Sequence, residues 1–341
     1  IKSNMSEGPI VTVGWLGDHM VPGKAPGYEK WRSDETPQSL SWTALYYRNI
    51  LLVAEMAKVI GKQADAFSYS QLAEEVKNAF NEKWLDESTG HYGSKSQTAE
   101  MLPLSLGLVP DEFKEKLISN IAQNITQNDN GHLRVGHAGI TALVESLTAN
   151  NMENEMYDIV NTTDYPGWGY MVDQGATTIW ECWGRDFVGE GGRRRADNMT
   201  MLAGVNEFFY RYIAGIQGPN FYGYENMKPG YQEFKIKPYP LKDLTFAKAS
   251  VQTVKGAISS SWELTGDTFK LNVEIPANSE AQVNIPKLGK KNIVISENGK
   301  TVWSSNKLGK GVDGVTKGVD AGDYVTLSLG SGKYSFQAST E

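Results

Sequence analysis

The hydrophobic pattern of this chain changes its period near Pro219. Before that point apolar residues recur every three to four positions, as in the segment 64–82, which is typical of an amphipathic helix. After it, short runs alternate apolar and polar residues, which favours half-buried strands separated by turns. Helices that come first and strands that follow are expected to pack as separate domains. We therefore predict an α-helical domain over 1–217 and an antiparallel β-sandwich over 218–341.

The limits of the individual elements follow from local start and stop signals. Pro37 opens a long amphipathic segment that stops at Gly61, and Asp34 just before it is expected to favour the helix dipole. A second helix is predicted at 64–82, and further helices at 96–107, 111–127, 137–149, 152–160, 175–182 and 197–215. Strands are predicted at 234–238, 257–263 and 269–275, with turns at 265–267 and 297–299.

One carboxylate, Glu181, lies between two indoles, Trp180 and Trp183. Apolar walls disfavour the charged form of a carboxyl group and raise its pKa, and indole faces stack on the C–H faces of a sugar ring. Glu181 is therefore the leading candidate for acid/base catalysis on a carbohydrate. The alternative is a Glu that is hydrogen-bonded inside a tryptophan-rich core, and composition alone does not decide between the two.

Further candidate sugar contacts are Asp18, Trp168, Trp180 and Trp183. Asp18 lies in a Gly-containing loop, and Trp168 lies between two glycines that let the backbone approach closely. Trp180 and Trp183 flank Glu181, but neighbours at i−1 and i+2 point in different directions, so one of them is expected to pack inward. For each of these residues a packing role in the core is the alternative.

The segment 175–183, Gly-Ala-Thr-Thr-Ile-Trp-Glu-x-Trp, resembles the signature of bacterial α-L-rhamnosidases, glycoside hydrolase family 78. Further segments agree with that family in the same order and span nearly the whole chain. They are Gly17-Asp18, Asp34-Glu35-Thr36-Pro37, Tyr92-Gly93 with Ser96-Gln97-Thr98-Ala99, Gly107-Leu108-Val109-Pro110, Gly131-His132-Leu133, Tyr165-Pro166-Gly167-Trp168-Gly169-Tyr170, and Ala247-Lys248-Ala249-Ser250 before Gly256.

The resemblance implies an (α/α)₆ barrel followed by a β-sandwich, and an inverting glycosidase whose general base falls on Glu181. The family's general acid lies in an upstream motif rich in Asp, Arg, Glu and Trp, which no stretch of this chain matches. Twelve helices with their connections need upwards of ~240 residues, whereas helical pattern occupies only about 38–216. We therefore expect an upstream part of the same protein, or a second chain, to complete the barrel and supply the acid.

The segment that follows the base departs from the family pattern. The family often has a His after an Asn there, where the His contacts the sugar, but Asn198 is followed by Met199. Asn198 is kept as a candidate sugar contact, and the identity of the sugar stays open between rhamnose and other neutral sugars.

Composition narrows the classes of partner. The net charge of −7 and the lack of a long basic run argue against nucleic acid as a partner and give no reason to expect binding to a membrane surface, so a neutral carbohydrate is favoured.

The single cysteine, Cys182, excludes an internal disulfide and a cysteine-built metal site. His132 and His137 lack the neighbours of a zinc motif, so we predict no metal and no cofactor. The cellular compartment stays open.

Three functions remain in consideration. The first is an α-L-rhamnosidase-like glycosidase in which Glu181 is the base. The second is a non-catalytic carbohydrate-binding homologue that keeps an aromatic cleft and lacks the acid. The third is a structural part of a multi-domain polysaccharide-degrading protein.

Overall fold

A computed structural model of the chain describes residues 8–14, 16–28, 35–185, 195–218, 229–309 and 312–340. The chain divides into two compact units, Ile1–Val205 and Asn206–Glu341. The first is helical and the second is built from two sheets in which the described strands pair antiparallel apart from one pair, which confirms the predicted fold class. The predicted domain limits, 1–217 and 218–341, stay a prediction.

The helical unit contains seven helices of six residues or more within the described part of the chain. They are α1 Gln38–Val59, α2 Gln63–Trp84, α3 Gln97–Ser105, α4 Asp111–Gln123, α5 Gly139–Ala149, α6 Glu153–Asn161 and α7 Trp168–Asp173. The first six lie where the periodicity predicts them. A two-stranded hairpin, β1 Leu85–Asp86 and β2 His91–Tyr92, joins α2 to α3. Asp34 lies outside the described residues.

The predicted helix at 175–182 is wrong. Helix α7 ends at Asp173, and Gly175 follows with a φ of +80°, a left-handed conformation that commonly ends helices. The residues after it are rich in β-branched side chains, which lower helix propensity. Their main chain instead bonds to a distant segment, since Met199 N donates to Ile179 O at 2.9 Å.

The predicted helix at 197–215 is also wrong as a continuous element. The structure has three short helical turns there, Thr200–Leu202, Val205–Glu207 and Phe208–Ile213. Gly204 interrupts the pattern, and glycine is among the poorest helix formers.

The core of the helical unit includes an antiparallel pair, α1 and α2, and the contact between α3 and α5. Apolar side chains such as Leu102 of α3 and Leu143 of α5 are fully buried. Ser146 Oγ donates to Met101 O at 3.0 Å, so a polar bond also joins the two helices. These contacts hold α5 against α3.

The second unit contains two sheets. Its strands are β3 Ile216–Gln217, β4 Glu233–Ile236, β5 Phe246–Thr253, β6 Gly256–Thr265, β7 Thr268–Ile275, β8 Glu280–Pro286, β9 Ile293–Glu297, β10 Lys300–Ser304, β11 Lys307–Leu308, β12 Val315–Ala321, β13 Tyr324–Leu329 and β14 Gly332–Thr340. The seven-stranded sheet has the order β11-β10-β9-β14-β7-β6-β5, and the five-stranded sheet has the order β12-β13-β8-β4-β3. All pairs are antiparallel except β4 with β8. Alternate residues of β7 and β13 are buried, as expected for strands with one face in a core.

Among the described residues, no helix has both the length and the apolar character that crossing a bilayer requires.

Candidate active site

Asp18 is a buried carboxylate at the first turn of α5. Its two oxygens accept hydrogen bonds from three main-chain amides, those of Gly136, Ala138 and Gly139, each at 3.1 Å, and from the hydroxyl of Thr98 at 2.5 Å. A carboxylate at a helix start satisfies amides that have no partner inside the helix and interacts favourably with the helix dipole. Asp18 therefore fixes where α5 begins.

Burial raises the pKa of Asp18, while its four hydrogen bonds work in the opposite direction. The residue is only 1% exposed, and its oxygens are occupied by donors of its own chain. The sugar contact expected of Asp18 stays a prediction, and within this chain both oxygens of the carboxylate already accept hydrogen bonds.

The turn before α5 also holds the segment that carries Glu181. His137 Nε2 donates to the main-chain carbonyl of Glu181 at 2.8 Å, and Trp183 Nε1 donates to Val135 O at 2.9 Å. His137 N donates to the carbonyl of His19, next to Asp18, at 2.7 Å. Residues 135–139 thus contact segment 18–19 on one side and segment 181–183 on the other.

The side chain of Glu181 is half-buried and oriented by one main-chain amide. Ala196 N donates to Glu181 Oε2 at 2.7 Å, and Glu181 N donates to Ala196 O at 3.1 Å. Among the described residues, Oε2 is the carboxylate oxygen that accepts a hydrogen bond. The carboxylate is therefore oriented through one of its two oxygens.

All three candidate tryptophans are buried. Trp183 is fully buried, and Trp168 packs edge-on against it at a ring distance of 5.3 Å. Trp168 Nε1 donates to Leu202 O at 2.9 Å. Trp180 is 4% exposed and lies under the guanidinium of Arg195, 4.3 Å from the ring centre.

The sugar contacts expected of Trp168 and of one of Trp180 and Trp183 stay predictions. The indole N–H groups of Trp168 and Trp183 find carbonyl partners inside the unit, which lets both rings be buried without an unpaired donor. Within this chain the three indoles thus pack in the interior of the helical unit.

The remaining candidates are divided between the surface and the interior. Asn198 is exposed, in the segment that pairs with 178–181. Cys182, directly after Glu181, is buried. Within the described ranges, no group of three His, Cys, Asp or Glu side chains is arranged to hold a metal ion.

Two contacts of the site were missed by the reasoning from sequence, those of His137 and Ala196. Each lies in a segment remote in sequence from Glu181, 44 and 15 residues away. No local pattern marks either position, because a main-chain amide or a lone histidine has no sequence signature as a partner.

Comparison with known proteins identifies the family. The family described as bacterial alpha-L-rhamnosidase 6 hairpin glycosidase domain matches residues 7–213, and the bacterial alpha-L-rhamnosidase C-terminal domain matches residues 223–300. The chain belongs to the bacterial α-L-rhamnosidase family. Its helical unit is thus a six-hairpin glycosidase domain, and its sheets form the C-terminal β-sandwich of that family.

Individual members of the family support this assignment. An alpha-L-rhamnosidase of Formosa agariphila is 30% identical over 86% of this chain and 30% of the relative. The structure of the alpha-L-rhamnosidase from Dictyoglumus thermophilum is similar with a TM-score of 0.84 and 30% identity, covering 98% of this chain and 35% of that one. The Streptomyces avermitilis alpha-L-rhamnosidase complexed with L-rhamnose is similar with a TM-score of 0.79 and 25% identity, covering 98% and 29%. The chain thus spans about a third of the length of these relatives.

Proposed function

We propose that this chain carries the general base of an inverting α-L-rhamnosidase, with Glu181 in that role. The observation that carries the proposal is the half-buried carboxylate of Glu181, which lies in the segment 175–183 that resembles the family's signature. Its Oε2 accepts a hydrogen bond from Ala196 N. The alpha-L-rhamnosidases that the chain resembles supply the reaction class. The substrate is a terminal α-L-rhamnosyl group, a neutral sugar in keeping with the acidic balance of the chain.

The chemistry assigned to Glu181 is proton abstraction from water. In an inverting glycosidase, one carboxylate removes a proton from a water molecule that attacks the anomeric carbon, while a carboxylic acid on the other face protonates the leaving oxygen. Glu181 Oε1 would take the proton, and the bond from Ala196 N to Oε2 would fix the direction of the carboxylate. The C–O bond breaks as the new bond forms, so the product has the opposite anomeric configuration.

The general acid and the rest of the barrel are proposed to come from outside this chain. Helix α1 exposes a row of apolar side chains toward its C-terminal end, in which Val53 is 39%, Met56 62% and Val59 85% exposed, followed by Ile60 at 66%. Such rows usually pack against another helix, because apolar area left in water costs roughly 25 cal/mol per Å². Since the relatives are about three times as long, we propose that helices from an upstream part of the same protein, or from a second chain, cover this row.

The non-catalytic alternative keeps its support in the sequence, which is the missing acid motif and Met199 after Asn198. It also requires an aromatic cleft that binds sugar without turnover, whereas Trp168, Trp180 and Trp183 are at most 5% exposed in this chain. The structural alternative, a docking part of a multi-domain polysaccharide-degrading protein, predicts that Glu181→Gln leaves turnover by the longer protein unchanged, so the same activity measurement decides it.

The test is release of nitrophenol from p-nitrophenyl α-L-rhamnoside, measured on the longer parent protein and on this chain alone. The parent is expected to turn over the substrate, and Glu181→Gln is expected to lower kcat on the order of 10²–10⁴-fold, because the amide cannot accept the proton. Glu74→Gln, on an exposed part of α2, is the matched control and should leave kcat unchanged. This chain alone is expected to be silent, since the acid is elsewhere.

The stereochemistry of the first product is read by NMR before it mutarotates. An inverting reaction releases β-L-rhamnose from the α-rhamnoside. Release of the α anomer, or full activity of Glu181→Gln, would refute the proposal.

A further inference from the structure

His137 contributes a hydrogen-bond donor whose tautomer is set by its surroundings. The carbonyl of Glu181 can only accept, so the ring nitrogen that faces it at 2.8 Å, Nε2, must carry the hydrogen. Nδ1 is buried and has no hydrogen-bond partner among the described atoms. A second proton on Nδ1 would therefore be a buried donor without an acceptor, which is unfavourable.

Burial and the neighbouring His19 favour the same neutral form of the ring. The ring of His19 meets it edge-on at 4.8 Å, and the carboxylate of Glu181 is the negative group near it. Burial lowers the pKa of His137, helped by the positive form of His19, whereas its bond to the Glu181 carbonyl and the Glu181 charge act in the opposite direction. At neutral pH the ring is thus an uncharged donor through Nε2.

The main chain on both sides of His137 is held rigidly. Asp18 accepts hydrogen bonds from the amides of Gly136 and Ala138, and His137 N donates to His19 O. There is also no room at Gly136, where an added Cβ would lie 2.1 Å from His19 O. The donor therefore starts from a fixed backbone and is not a side chain that adjusts to its partner.

We propose that His137 is a positioning residue, which fixes the main-chain carbonyl of Glu181 and so aims the carboxylate of the same residue. This inference rests on the proposed role of Glu181 as general base. Rotation of the peptide at residue 181 would also shift the Cα–Cβ direction and the bond from Ala196 N to Oε2. A misplacement of about 1 Å in a catalytic group costs on the order of 10²-fold in rate.

The hydrogen bond of Trp183 allows an effect on positioning to be distinguished from an effect on folding. Trp183 Nε1 to Val135 O already ties the Glu181 segment to the turn before α5, and it does not involve His137. Loss of the His137 donor should therefore leave the segment in place and loosen only the peptide of residue 181. We therefore expect variants without this donor to have a lower rate and an unchanged fold.

The experiment uses the longer parent protein with p-nitrophenyl α-L-rhamnoside and a matched pair of variants, His137→Gln and His137→Met. The two side chains have similar length, but only Gln has an N–H to offer to the Glu181 carbonyl. Met is expected to lower kcat about 10–100-fold, with KM changed by less than about 2-fold, and Gln is expected to recover most of that loss. His132→Met is the control, since His132 faces the carbonyls of Asp129 and Asn130 and not Glu181.

The split between kcat and KM, together with recovery by the Gln variant, gives a readout that a purely structural role would not move. His132→Met should keep the kcat and KM of the unchanged protein. Thermal unfolding of every variant is recorded alongside.

Unchanged kcat in His137→Met would overturn the inference. Equal loss in the Gln and Met variants, with equal loss of Tm, would overturn it as well, because the donor would then not matter. Failure of the proposed function is seen separately, as an active Glu181→Gln. An inactive Glu181→Gln together with an active His137→Met leaves the base in place and rejects only the role of His137.

Discussion

The β6–β7 hairpin and the Glu181 segment differ in how their hydrogen bonds are arranged. In the hairpin the residues of the two strands face each other in one continuous antiparallel ladder, from Thr265 opposite Thr268 outward to Ser259 opposite Glu274. The Glu181 segment has no such ladder. Its bonds run to residues 135, 137 and 196, which belong to other parts of the helical unit.

The difference predicts where each region is sensitive to change. A hairpin built on local pairing depends on its turn and on the core beneath it. A segment held by a few long-range bonds depends on single side chains far away in sequence, such as Asp18, whose own hydrogen bonds go to the turn before α5 and not to Glu181. Substitutions in both regions test that contrast.

The largest expected loss of stability is in the core of the sandwich. Trp262 is 1% exposed, stacks on Phe269 at 5.7 Å and donates to Ile213 O at 2.8 Å. Trp262→Ala should lower the free energy of unfolding by about 3–5 kcal/mol, through lost burial and the cavity left behind. Urea unfolding of the chain measures it, with Phe246→Ala at the exposed edge as control, and a loss below about 1 kcal/mol would contradict the account.

Asp18→Ala is expected to cost slightly less, about 2–4 kcal/mol, because it leaves three amides at the start of α5 and the Thr98 hydroxyl without their acceptor. Hydrogen exchange should show faster exchange at 136–139 and also at Glu181 N. Faster exchange at Glu181 N would show that a substitution remote in sequence reaches the Glu181 segment. No residue of the β6–β7 hairpin is expected to exchange faster. If only 136–139 responds, the link from Asp18 to the Glu181 segment is absent.

The free energy of unfolding is expected to depend on pH through the Asp18 carboxyl group. Because burial raises the pKa of Asp18 above its ordinary value of 3.8, the folded state binds its proton more tightly than the unfolded state does. Its contribution is therefore most favourable below that ordinary pKa and is lost as pH rises through the raised value. Relative to Asp18→Asn, the unchanged chain should lose stability over this window, and a relative gain with rising pH would contradict a raised pKa.

The smallest effect is expected in the hairpin turn. Gly266 has a φ of +55°, and an added Cβ would meet no atom within 4 Å, so only backbone conformation is tested. Gly266→Ala should cost about 1 kcal/mol. Gly330→Ala, at a position without positive φ and equally open, is the matched control and should cost less. Equal losses would show that the turn does not specify the hairpin.

The same contrast explains what could be predicted from the sequence. Strands β6 and β7 and helices α1–α6 were predicted because their periodicity is local and agrees with the way they pack. The helix predicted at 175–182 was wrong, since the bonds of that segment to residues 196 and 199 outweigh its weak helical pattern. Burial of Trp180 under Arg195 was likewise not readable, because the partner lies 15 positions away with nothing local to mark it.

For the candidate site, the sequence predicted the carboxylate and its family but not its surroundings. Glu181 stands out through its signature segment, whereas the inward direction of Trp168 and Trp183 depends on carbonyl partners at Leu202 and Val135. Residue type alone does not separate an indole that stacks on sugar from one that donates into a core. The direction in which an indole points is a property of the fold.

The most direct test of Glu181 as the general base is azide rescue of Glu181→Ala in the longer parent protein. Without the carboxylate, water is no longer activated, but azide is a strong nucleophile that needs no base and can occupy the space of the missing side chain. The account predicts a rate that rises with azide concentration in the variant alone and a product that is β-L-rhamnosyl azide. An α-configured azide product, or hydrolysis by Glu181→Ala at the unchanged rate without azide, would contradict it.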